Sequence, residues 1–259
     1  PALACVASVG AAVRAARRAE ATDERAVYGL FTVLGVNVFA ALLPLGLLQA
    51  HATQWTHALR ENAPLLALLG LPALGVGWLL WRRLDKTELT GERTVAASVG
   101  LCGALLLLGS ALLAFPLVDS LVVIALLNAV LWSWVAWPYE LRVARWLALA
   151  QAVWAYVLLG QLALGRLAFG QENARQLLAA VLSYSSAVLL IAVFAVLSGA
   201  AEWCLAQERK ELAREFTVAS WLIGGFSLLL ASLHGFAVAG DPKRLACVYA
   251  AYALAAFVL

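Results

Sequence analysis

Methionine is absent from this 259-residue chain, and charged residues make up only 13% of it. A soluble domain carries about 25% charged residues, because its folded surface has to be solvated. At half that density a surface of this size cannot be covered, so soluble enzyme folds are excluded. Lys and Arg number 18 against 15 Asp and Glu, leaving a net charge of +3. An excess so small and dispersed excludes a nucleic-acid footprint, which needs a clustered basic face. Only three of the basic residues are lysine. Arg, Ala, Leu, Gly and Val dominate instead, which is the coding bias of a GC-rich bacterium. Cys-x-x-Cys pairs and Cys/His zinc spacings are also missing. The four cysteines, Cys5, Cys102, Cys204 and Cys247, each adjoin an apolar run and read as small hydrophobes.

What the chain has is apolar sequence, 64% of its residues. Long apolar runs alternate with short charged loops, the pattern of membrane-spanning helices. The expected fold is an all-α polytopic transmembrane bundle of about nine spans, near 1–13, 26–50, 64–81, 94–118, 121–138, 146–165, 176–204, 216–239 and 246–259. The first and last are too short for a hydrocarbon core of about 30 Å. Both abut a chain end, which predicts that this single transmembrane domain belongs to a longer polytopic chain. Lys and Arg divide unevenly between alternate loops. Loops 14–25, 82–93, 139–145 and 205–215 carry 13 of the 18, and loops 51–63, 119–120, 166–175 and 240–245 carry 5. The positive-inside rule places the first set in the cytoplasm, with residue 1 outside and residue 259 inside. Trp78, Trp81, Trp134, Trp137, Tyr139, Trp146 and Trp203 cluster at the same ends, as an interfacial aromatic belt requires. The expected location is a bacterial inner membrane.

A further absence concerns the spans themselves. Every Asp, Glu, Lys and Arg lies in a loop or within a few positions of a span end. Proton relays, ion-coupled carriers and voltage sensors need ionisable groups at depth, so ion coupling through side-chain charge is not expected. At mid-depth the notable residues are neutral: Asn37, Asn128, and Pro72 among Gly70, Gly75 and Gly77. A mid-helix proline frees a carbonyl, and broken helices often line transporter sites. Asn37, Pro72 and Asn128 are therefore the candidate substrate-binding residues. His51, His57 and His234 fall on the outer side and are candidate metal ligands. No catalytic residue and no cofactor is expected. Ala96, Gly100 and Ala104 form a small-residue ridge, and Ser183–Ser186 and Gln161 read as packing groups.

The run Trp132-Ser133-Trp134 with Pro138-Tyr139-Glu140 resembles the Trp-rich signature of cytochrome c haem-handling proteins over about ten residues. Val135 stands where that signature has Asp, two extra residues intervene, and the charge pattern puts the run on the opposite side. No family is assigned on it. The leading functional class is a transport or translocation component for a neutral or amphipathic cargo, without intramembrane ion coupling. The alternatives are a non-catalytic subunit or scaffold of a membrane complex, and a haem- or metal-dependent membrane enzyme or electron carrier. The expected partners are membrane lipids and other membrane subunits, and not nucleic acid.

Overall fold

The computed structural model describes residues 60–83, 91–139, 142–237 and 242–258. Among these residues all regular structure is helical: α1 (Ala63–Arg83), α2 (Gly91–Ala114), α3 (Val118–Tyr139), α4 (Arg142–Ala163), α5 (Ala174–Val181), α6 (Tyr184–Ala206), α7 (Lys210–Ala237) and α8 (Pro242–Val258). Among the described residues four stretches are long and apolar enough to cross a membrane: Val118–Ala136, Arg142–Ala163, Tyr184–Ala206 and Lys210–His234, with mean hydropathies of 1.9, 1.4, 2.2 and 1.8. Over the described residues the protein is thus all-α, with four candidate membrane spans.

Four replaces the expected nine, and the reasons are local. Runs 1–13 and 26–50 lie outside the described residues. In α2 the apolar stretch is the short Gly103–Ala114, and the helix stops before a turn at Phe115–Pro116. α8 has 17 residues, which extend about 26 Å, short of the hydrocarbon thickness. The run 176–204 is not one helix. It breaks at Leu182 and Ser183, because the hydroxyls of Ser183 and Ser186 turn back onto the Ala180 carbonyl at 2.6 and 3.1 Å. Side-chain hydroxyls that bond to nearby backbone compete with the helical ladder. α5 is the piece cut off, and Asn173 caps its start by accepting from the amides of Arg175 and Gln176 at 3.0 and 3.2 Å.

The chain divides into two compact units at Ala152 and Val153, within α4. In the first unit α2 packs along α1, and α3 packs on both. The α1–α2 crossing is set by two glycines. A β-carbon at Gly103 would sit 2.7 Å from Leu74 Cγ and 2.9 Å from the Gly70 carbonyl oxygen. Only residues without a side chain allow backbones this close. Gly100, the centre of the expected ridge, faces open space instead. The residue at the close approach is therefore Gly103, three residues further along. Leu107, beside Gly70, is fully buried at this crossing, and Val118 and Ile124 are fully buried in α3. Trp78 and Trp134 meet with ring centroids 5.8 Å apart, so the late turns of α1 and α3 lie at one end of the unit, as the belt assignment expects.

In the second unit α6, α7 and α8 pack in succession. The α6–α7 hairpin turns through residues 207–209, where Glu208 takes a left-handed φ of 59° and Arg209 N–H closes on the Cys204 carbonyl at 2.9 Å. This is the usual left-handed stop of a helix, made here without glycine. The hairpin is antiparallel: Gly224 faces Phe194, and Ser227, further along α7, reaches back to the Ala187 carbonyl at 2.7 Å.

Candidate functional site

A cleft of about 500 Å³ opens between α6, α7 and α8. That volume lies within the range of small-ligand sites. Phe194, Ser198 and Glu202 recur every four residues and so share one face of α6. α7 contributes Thr217, Ser220, Trp221, Gly224, Gly225 and Leu228, and α8 contributes Tyr252. Because the hairpin is antiparallel, the lining is graded. Glu202 and Thr217 stand at one end, Ser198, Ser220 and Trp221 follow, and Phe194, Leu228 and Tyr252 form the other. Eight residues separate Phe194 from Glu202, an axial length of about 12 Å.

Two adjacent glycines shape this cleft differently. A β-carbon at Gly224 would meet Phe194 Cδ2 at 2.9 Å, whereas one at Gly225 meets nothing within 4 Å. Gly224 therefore lets the Phe194 ring approach, and Gly225 leaves room in the cleft. Phe194 also packs edge-on against Tyr252, with centroids 5.0 Å apart. The Tyr252 hydroxyl is buried beside Ser227, whose own hydroxyl donates to the Ala187 carbonyl.

The hydroxyls of α7 are committed in a particular way. Thr217 Oγ1 donates to the Ala213 carbonyl at 2.9 Å, and Ser220 Oγ donates to the Thr217 carbonyl at 2.8 Å. Their protons go to the preceding turn, and lone pairs remain. Among the described residues Glu202 is the charged residue that lines the cleft, and it has no ion-pair or hydrogen-bond partner.

A second polar cluster in the same unit is closed. Gln161 is fully buried and its amide donates to Ser186 Oγ at 2.7 Å and Ser185 Oγ at 2.9 Å, with Ser183 Oγ at 3.4 Å. Its carbonyl accepts from Ser185 at 3.1 Å. Buried amides are stable only when satisfied in this manner. The His234 imidazole Nε2 meets the Leu182 carbonyl, so it carries the ring proton there. This cluster ties the start of α6 to α4 and to the end of α7.

Of the candidate residues read from the sequence, Pro72, Asn128 and His234 are among the described residues. Asn37, His51 and His57 lie outside the described residues, and Pro72 lies within α1. Asn128 is fully buried in the first unit and donates from Nδ2 to the Leu107 carbonyl at 3.0 Å. Its Oδ1 has no partner, nor has the indole N–H of Trp132 one turn along α3. Among the described residues no three His, Cys, Asp or Glu side chains gather into a metal-binding group. The cleft residues gave weak signals in the sequence. Glu202 sits one turn from the end of an apolar run, where an acidic residue looks interfacial, and the glycines look like ordinary packing positions.

No protein family, curated protein or solved structure matches this chain, so geometry carries the functional reading.

Proposed function

We propose that this chain is an integral membrane protein of the bacterial inner membrane that binds an amphipathic molecule in the α6–α7–α8 cleft and moves it across or within the bilayer. The observation that carries the reading is the graded cleft, polar at Glu202 and Thr217 and apolar at Phe194 and Leu228. A cargo with one polar and one apolar end matches that gradient. No ion coupling is invoked, because in the four candidate spans the charged side chains lie near helix ends: Asp119, Arg142, Arg145, Glu202, and Lys210 to Glu215. Asn37, Pro72 and Asn128 remain proposed mid-depth residues for cargo, and the support is limited to the unpartnered Asn128 Oδ1.

Transport is tested in proteoliposomes with a fluorescent single-chain amphipath and a membrane-impermeant quencher. The wild-type chain should accelerate inward movement over protein-free vesicles, and a proton uncoupler should leave the rate unchanged. Gly225→Phe should slow movement about tenfold, the effect of excluding a ligand worth one tenfold step in affinity, while thermal stability in detergent stays unchanged. Wild-type vesicles no faster than protein-free ones, with stable co-purification of partner subunits, would move the reading to a membrane scaffold.

The orientation has its own test. In a cysteine-free background, single cysteines replacing Glu20, Glu88 and Lys210 should be protected from impermeant maleimide in intact cells. Cysteines replacing His57 and Glu172 should be labelled. Labelling at residue 88 without labelling at residue 57 inverts the orientation.

A further inference from the structure

Resting on the cleft reading above, we propose that the cleft selects its amphipath by an organic ammonium headgroup, held at the end formed by Glu202, Thr217 and Trp221.

Three observations converge. Glu202 is the charged lining residue, is exposed, and has no ion-pair or hydrogen-bond partner among the described residues. A carboxylate beside an apolar wall attracts a cation and repels an anion more strongly than in water. The hydroxyls of Thr217 and Ser220 have already given their protons to Ala213 and Thr217. The polar end of the cleft therefore offers acceptors, and an ammonium N–H supplies the donors that such oxygens lack. Trp221 lines the same cleft and is 74% exposed, so its indole face is free for a cation, for which Trp is the best aromatic partner. A sulfate or phosphate head would find no positive charge among the lining residues and would face the Glu202 carboxylate. The apolar chain then runs past Gly225, where space is open, towards Phe194 and Leu228.

The test uses the full chain in maltoside micelles with radiolabelled dodecylammonium as the probe. Unlabelled dodecylammonium should displace it about tenfold better than dodecyl sulfate, the difference expected for one charge contact with Glu202 joined by the Trp221 face. Glu202→Gln should abolish that preference, and Glu202→Asp should retain most of it. Equal displacement by the two heads, or a preference that survives Glu202→Gln, overturns the inference. Gly225→Phe separates this failure from failure of the cleft itself. If Gly225→Phe removes binding of both heads and no head preference exists, the cleft stands and the ammonium assignment falls. If Gly225→Phe leaves binding intact, the cleft reading falls and this inference with it. Two sources of the headgroup are also distinguished. Displacement by phosphatidylethanolamine and not by butylammonium supports an aminolipid, and displacement by butylammonium supports a soluble amine.

Discussion

Replacing Gly103 by leucine is expected to cost about 3 kcal/mol and to separate α2 from α1. The β-carbon alone would lie 2.7 Å from Leu74 Cγ, 2.9 Å from the Gly70 oxygen and 3.0 Å from the Leu74 amide nitrogen. Two of those three atoms are backbone, and a helix backbone cannot yield locally. The remaining leucine atoms would have to enter a core already filled by Leu107 and Ala73. Neighbouring positions supply a graded series. Gly70→Ala places its β-carbon 3.1 Å from the Gly103 oxygen, so a smaller loss is expected. Gly100→Leu meets nothing within 4 Å and should be near neutral. Thermal unfolding in detergent, followed by circular dichroism, gives the order. Equal stability of Gly100→Leu and Gly103→Leu would show that the helices do not cross at Gly103.

Gln161→Leu should give the second-largest loss, about 2 kcal/mol. Its amide meets three serine hydroxyls at 2.7, 2.9 and 3.4 Å, and interhelical hydrogen bonds in a bilayer average about 0.6 kcal/mol each. Leucine also leaves the lone pairs of the serine hydroxyls without their donor. Removing both sides is expected to be milder than removing one, because it is the orphaned partner that costs most. Gln161→Leu combined with Ser185→Ala and Ser186→Ala should therefore recover part of the loss. Additive losses in the combined variant would mean that the cluster contributes through packing alone.

These two sites show what could be read from the sequence and what could not. The helical class and the spans at Val118–Ala136, Arg142–Ala163 and Lys210–His234 follow from apolar length, which hydropathy measures well. The break at Leu182 does not. Hydroxyls lower the mean hydropathy of 176–204 only slightly, yet two of them occupy the Ala180 carbonyl and end the helix. The small-residue ridge was visible as a type of pattern, but its position depends on the partner helix. Gly103 faces Gly70 and Leu74, and no spacing within α2 alone reveals that. Asn128 was legible as a polar group at depth, and the structure shows it bonded to Leu107 across the α2–α3 contact. Glu202 was passed over because its distance from the chain's next charged loop is that of an interfacial residue. Its place on the same face as Ser198 and Phe194 emerges only when α7 closes the cleft.

Binding and movement of an amphipath as proposed require a cleft that opens into the bilayer and not into water. A nitroxide placed at Gly225 measures this directly, because a side chain there meets no neighbouring atom. The label would be carried by Gly225→Cys after Cys5, Cys102, Cys204 and Cys247 are replaced, in the full chain reconstituted in lipid vesicles. Power-saturation electron paramagnetic resonance then compares collision with oxygen, which concentrates in hydrocarbon, and with a water-soluble nickel chelate. Oxygen should dominate at Gly225, and the nickel chelate should dominate for a label replacing Glu172 in the α4–α5 loop. Dominance of the nickel chelate at Gly225 would place the cleft in water and contradict the account.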